Sequence, residues 1–310
     1  MRTARSRLPK GFSLDDRLAQ CADAIESQPE KWAGSWRSWD AALLAASGDV
    51  PASTEVSPVS RSAKSPQCSP RRFERVCLDL GCGKGGYTVV CAEAHPDTLF
   101  VGIDVEGLCV LRAAECALEH GVSNVAFVLD DDPFLDLSRI FAPGELSAIL
   151  LNFPTPYPKK KKAPFRLTYV DRLMAYRSLL EEGGVVRFRT DSQPLRDFSL
   201  TQFSLAGYDV EWSSDDVRSL FPQEPWSEYE RKLVAQGASV HGIQATPRMP
   251  GPNPATIEQT APLSLVSYLP EDIENMGYVP HGMQGCVKNM RGRRARQRSE
   301  GLPEWTAPKV

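Results

Sequence analysis

The chain has 310 residues, more than one ordinary domain needs and fewer than two full ones, so a single core domain with appended segments is the expected organisation. Hydrophobic content of 42% is enough for a sizeable core and 24% charged residues is ordinary, while a formal net charge of -3 gives no general attraction to nucleic acid. Three absences narrow the class: no stretch approaches the roughly 18 apolar residues of a membrane span, residues 1–10 are basic without the apolar run of a secretory signal, and eight cysteines form no C-x-x-C pair. These exclude a membrane partner, argue against disulfides or a metal site, and place the chain in a reducing cytoplasm.

Residues 14–46 read as a helical segment, with Leu14, Leu18, Cys21 and Ile25 as one stripe and Trp32, Trp36, Trp39 and Leu43 continuing at helical spacing. The tryptophans are expected to pack against the main domain, with stacking on RNA bases as the alternative. Residues 47–72 turn to Ser, Pro and scattered charge, the composition of a disordered linker.

A regular alternation follows over residues 73–246. Strands are expected near 76–80, 99–104, 125–129, 148–153, 185–190, 208–212 and 240–245, with helices reaching Ala94 and spanning 108–120, 167–180 and 195–205. Strands separated by helices predict an α/β fold, a mostly parallel seven-stranded sheet with helices on both faces. Residues 247–310 read as a proline-rich linker and a basic tail, largely disordered, ending in an arginine run from Arg291 to Arg298 that is a candidate flexible arm for phosphates.

The first strand ends in Asp79-Leu80-Gly81-Cys82-Gly83-Lys84-Gly85-Gly86, where Gly81, Gly83 and Gly86 satisfy G-x-G-x-x-G. That spacing is shared with dinucleotide sites. Asp79 chooses differently: a carboxylate at the mouth of the turn repels a pyrophosphate and attracts a ligand bearing an ammonium and a sulfonium, as S-adenosylmethionine does. Asp104 ends the second strand, where an acidic side chain accepts from ribose hydroxyls. The run Asp130-Asp131-Asp132 after the third strand supplies a third carboxylate near the expected adenine, and spacing alone does not choose among the three.

The fourth strand runs into Leu151-Asn152-Phe153-Pro154-Thr155-Pro156-Tyr157-Pro158 and then Lys159 to Lys162. Three prolines stiffen this loop at the ligand edge of the sheet, and four lysines suit a phosphate backbone. The stretch resembles the L-N-F-[SN]-D-P-W-P-K-x-R-H signature of the bacterial tRNA (guanine-N7-)-methyltransferases. Arg166-Leu167-Thr168 is similar to that family's R-L-T, Thr190-Asp191-Ser192 to its T-D-N, and Ser227-Glu228-Tyr229-Glu230-Arg231-Lys232 to its T-E-Y-E-x-K. The resemblance covers residues 76–246 in the same order. It implies a Rossmann-like methyltransferase fold, cofactor contacts from Asp79, Gly81, Gly83, Asp104, Asp131 and the Thr155 position, and tRNA contacts from Lys159, Asp191 and Ser227, Glu228, Tyr229 and Glu230. Monomer and homodimer both stay open.

The departures fall at the centre. Thr155 stands where the family has an aspartate, Tyr157 where it has tryptophan, and Lys161-Lys162 where it has R-H. Guanine N7 has an in-plane lone pair and no proton, so the reaction needs alignment rather than a general base. Hydrogen bonds to a charged partner contribute about 1.5–3 kcal/mol against about 0.5–1.5 for neutral ones, so Thr155 costs roughly 5- to 30-fold in rate, with Asp191 expected to share the catalytic position. Two other readings compete: a methyltransferase for another substrate, such as an exocyclic amine, and an inactive homologue that binds tRNA.

Overall fold

The computed structural model describes residues 11–40, 72–130, 132 and 136–308. The expected linker, except Arg72, lies outside them, as do Leu43 and Asp131.

The seven expected strands all form: β1 (Arg75–Leu80), β2 (Thr98–Asp104), β3 (Val125–Leu129), β4 (Leu146–Asn152), β5 (Leu180–Thr190), β6 (Tyr208–Ser214) and β7 (His241–Pro247). They build one sheet in the order β3-β2-β1-β4-β5-β7-β6, parallel except for β7, which is antiparallel to both neighbours. The order reverses direction between β1 and β4, and the crevice outside the carboxyl ends of these strands is where open α/β sheets take ligands.

Alternate strand residues feed two cores. Val76, Leu78, Leu99, Val101, Ile103, Ala126 and Val128 point to one face, under helices α4 (Val170–Leu179) and α5 (Gln193–Leu205). Phe100, Val125 and Phe127 point to the other, under α2 (Gly86–Ala94) and α3 (Gly107–His120). Short helices α6 (Val217–Leu220) and α7 (Glu228–Ala235) lie between β6 and β7.

The N-terminal segment differs from expectation. Helix α1 covers only Leu14–Gln20, closed at its start by Ser13, whose hydroxyl accepts from Asp16 N–H. Beyond it come 3-10 turns, because Ile25 bridges to Phe127 at the sheet edge, Glu26 N–H bonds to Phe127 O, and Pro29 and a left-handed Gly34 break the helical path. The tryptophans pack as expected: Trp36 and Trp39 are buried, with Trp36 donating to Ile140 O and both Trp32 and Trp39 donating to Glu26.

The expectation of a largely disordered region 247–310 is corrected. Residues 284–299 form helix α8 (Gln284–Ser299), and Leu265, Tyr268, Ile273, Met283 and Val287 are buried against the α4/α5 face. The apolar residues are separated by prolines and fit no period, yet each finds a place on an already formed core. The arginine run is not a free arm either: Arg291 donates to Ile273 O, Arg294 to Trp305 O and Glu274, and Arg298 to Glu304.

Candidate active site

The glycine turn after β1 is pinned by backbone bonds from Gly81 and Cys82 N–H to Ile103 O and by Gly83 N–H to Asp104 Oδ2, at 2.8 Å. Gly81 and Gly83 hold φ of 78° and 58°. Gly86 does not carry the closest approach; Gly85 does, with φ 72° and a Cβ that would lie 2.5 Å from that of Ala113. The turn therefore requires glycine at 85, which the G-x-G-x-x-G spacing passes over.

Asp79 lies beneath this turn, 1% exposed. Its carboxylate accepts from Thr88 Oγ1 at 2.6 Å and from Asn152 Nδ2 at 3.3 Å, both neutral. Burial, with a smaller push from the negative charge of Asp104, raises its pKa to about 6 against the opposing hydrogen bonds. Asp104 accepts from Gly83 and Glu106 N–H groups, which fixes the direction of both oxygens. A buried carboxylate with only neutral partners beside a second carboxylate is a place for a cation. A pyrophosphate would add like charge there, whereas the ammonium and sulfonium of a methyl donor fit.

Opposite the turn, the loop after β4 carries two bulky residues in the left-handed region, Phe153 (φ 48°) and Tyr157 (φ 44°), a conformation that costs roughly 1–3 kcal/mol each. Arg166 holds it. Its guanidinium is buried, donates from Nε to Pro156 O at 3.0 Å and from Nη2 to Tyr157 O at 2.7 Å, and stacks 4.3 Å from the Phe198 ring. Burial lowers its pKa to about 10. With Thr168 bonded to Ser199 inside the core, the R-L-T stretch is the support of this loop. Thr155 and Lys159 to Lys161 are exposed, and Lys162 lies 4.4 Å over the Phe165 ring.

Asp191, at the end of β5, comes to the same edge. Its Oδ2 accepts from Tyr278 OH at 2.6 Å and from His281 N–H at 3.1 Å, while Oδ1 has no hydrogen bond among the described residues. Tyr229 is half exposed and packs edge-on to Phe153 with centroids 5.6 Å apart; partial burial, then the charge of Asp191, raises its pKa. Glu228 is exposed beside it.

The remaining members of that motif have structural duties. Ser227 caps α7, accepting from Glu230 N–H at 3.0 Å. Glu230, expected at the substrate, is 1% exposed and ion-paired with Arg218, whose guanidinium sits 4.1 Å from the Trp226 ring; it is corrected to a buried structural charge. Arg189, which the sequence did not single out, is fully buried against Glu224 and near the Tyr87 ring. Alternation would have shown it only as a charged residue in an apolar strand.

The model described as "Putative methyltransferase" matches residues 74–243, more than half of the chain. The protein is also 31% identical over 231 residues to the tRNA (guanine-N(7)-)-methyltransferase of Halalkalibacterium halodurans, covering 74% of this chain and 90% of that relative. The chain belongs to the tRNA (guanine-N(7)-)-methyltransferase family. Two further members are similar over shorter spans: that of Christiangramia forsetii, 37% identical over 46% of this chain and 62% of its own length, and that of Brevibacillus brevis, 33% identical over 54% and 79%. Among the family motifs, the glycine turn, the loop after β4, Asp191 and Tyr229 meet at the carboxyl edge, whereas Glu230 turns inward.

Proposed function

We propose that the protein transfers the methyl group of S-adenosylmethionine to N7 of a guanine in tRNA, in the cytoplasm. The observation that carries this reading is the buried Asp79, with neutral hydrogen-bond partners, at the carboxyl edge of the sheet beside the loop whose carbonyls Arg166 holds. Asp79, Gly81, Gly83 and Asp104 hold the donor. Asp131 completes this set by the family resemblance and lies outside the described residues.

When bound, S-adenosylmethionine supplies an electrophilic methyl on a positively charged sulfur. The protein's share is placement. Guanine N7 needs no deprotonation, so the residues align the base, exclude water and favour the positive charge that develops on it. Asp191 and Glu228 take the guanine edge, Tyr229 and Phe153 flank it, and the exposed Thr155 adds a neutral hydrogen-bond partner. Lys159 meets the adjoining phosphate. The exposed cations of α8, Lys288, Arg293 and Arg296, extend that contact along the RNA.

Incubation with unmodified tRNA and methyl-labelled donor should carry label into the RNA, and Asp191→Ala should lower the rate at least tenfold. Salt-sensitive tRNA binding with no transfer of label would make the chain a binding protein instead.

A further inference from the structure

Asp191 belongs to the catalytic domain, yet the groups that hold it come from beyond residue 247. Tyr278 OH and His281 N–H both donate to Oδ2, and that oxygen's two lone pairs are thereby used. The same segment touches the loop after β4 twice more. Leu265 N–H bonds to Pro158 O at 3.0 Å, and a Cβ on the left-handed Gly282 would lie 3.1 Å from the Pro156 ring. Burial of Met283, Val287 and Ile273 fixes the segment to the α4/α5 face. Tyr278 is half-buried, and burial followed by its bond to Asp191 raises its pKa. Tyr229 and Tyr278 thus stand near one carboxylate, with Phe153 packed edge-on against Tyr229.

We propose that the C-terminal extension forms one wall of the base pocket, with Tyr278 as a positioning residue that fixes Asp191 so that Oδ1 alone is presented to the target guanine. This rests on the guanine reading given above. Guanine offers two adjacent donors on one edge, N1–H and the exocyclic amine. A free carboxylate would take both with its two oxygens; Asp191, with Oδ2 occupied, takes one. The other falls to the exposed Glu228, which opens α7 beside Tyr229. Tyr278 therefore sets which carboxylates share the guanine edge, and its own ring closes the pocket on the side of the extension.

The test is a double-mutant cycle on the full chain, with Tyr278→Phe, Asp191→Ala and the pair together, read as kcat/KM for tRNA, tRNA affinity and donor affinity. Tyr278→Phe keeps the ring and the packing and removes only the hydroxyl. It should lower kcat/KM by roughly tenfold, the scale of one hydrogen bond to a carboxylate, while donor affinity stays the same. In the Asp191→Ala background it should cost less than twofold, because the group it positions is gone. A tenfold loss that persists in that background would mean that the hydroxyl acts on something other than Asp191, and a wild-type rate for Tyr278→Phe would mean that the hydroxyl does nothing; either overturns the proposal. Wild-type protein that transfers no methyl to tRNA contradicts the functional reading itself. In that case a non-additive melting-temperature cycle would still report the contact between Tyr278 and Asp191.

Discussion

Asp79 ties charge to ligand choice most closely. Its folded pKa of about 6 stands above the ordinary value of 3.8, so the folded chain binds that proton more tightly than the unfolded one. The contribution to stability is therefore most favourable below the unfolded value, is lost as pH rises toward 6, and stays lost above it, a cost of about 3 kcal/mol. A cation in the site offsets that cost. Donor affinity, measured by calorimetry, should be constant above pH 7 and weaken progressively below about 6, and Asp79→Asn should flatten the profile. Thr155 gives a prediction of opposite sign: Thr155→Asp returns a charge to an exposed loop position and should raise the methylation rate roughly 5- to 30-fold. At this scale the sequence showed the residues set at the carboxyl ends of strands. Asp79, Asp104 and Thr155 are identifiable from position after a strand. Glu230 and Ser227 share a motif with Glu228 and Tyr229, but only the helix start separates cap and buried ion pair from open side chains.

The first four strands were legible because apolar runs of five to seven residues bounded by turns have few other uses. The helical readings were poorer wherever tertiary contacts competed. Trp32, Trp36 and Trp39 have helical spacing, but indole donors seeking Glu26 and Ile140 O draw the chain into 3-10 turns. The loop after β4 follows its strand to the carboxyl edge of the sheet, yet its support was hidden, since nothing in the R-L-T spacing shows that Arg166 turns inward. Arg166→Ala would leave two loop carbonyls without their donors and release two left-handed residues. It should lower stability by about 2–4 kcal/mol in denaturant unfolding, with a larger loss in methyl transfer than in donor binding. Equal losses in both would show that the loop does not depend on this staple.

Across the whole molecule, the chain is slightly acidic and its two densest basic stretches adjoin at the Pro156–Gly282 contact. One is Lys159 to Lys161. The other is α8, which carries six basic residues and no acidic one; Arg291, Arg294 and Arg298 are used internally, which orients the helix and leaves Lys288, Arg293 and Arg296 outward. Replacing those three with Gln should leave the melting temperature and donor affinity in place and reduce the slope of log tRNA affinity against log salt by roughly 2 to 3. A slope equal to that of the wild type would remove α8 from the RNA surface. No helix among the described residues is long and apolar enough to cross a membrane.

The product nucleoside decides the central claim. After reaction of the purified chain with unmodified tRNA and labelled donor, digestion and mass analysis should place the label in 7-methylguanosine. Label in an amine-methylated or other nucleoside, or none in RNA at all, would contradict it.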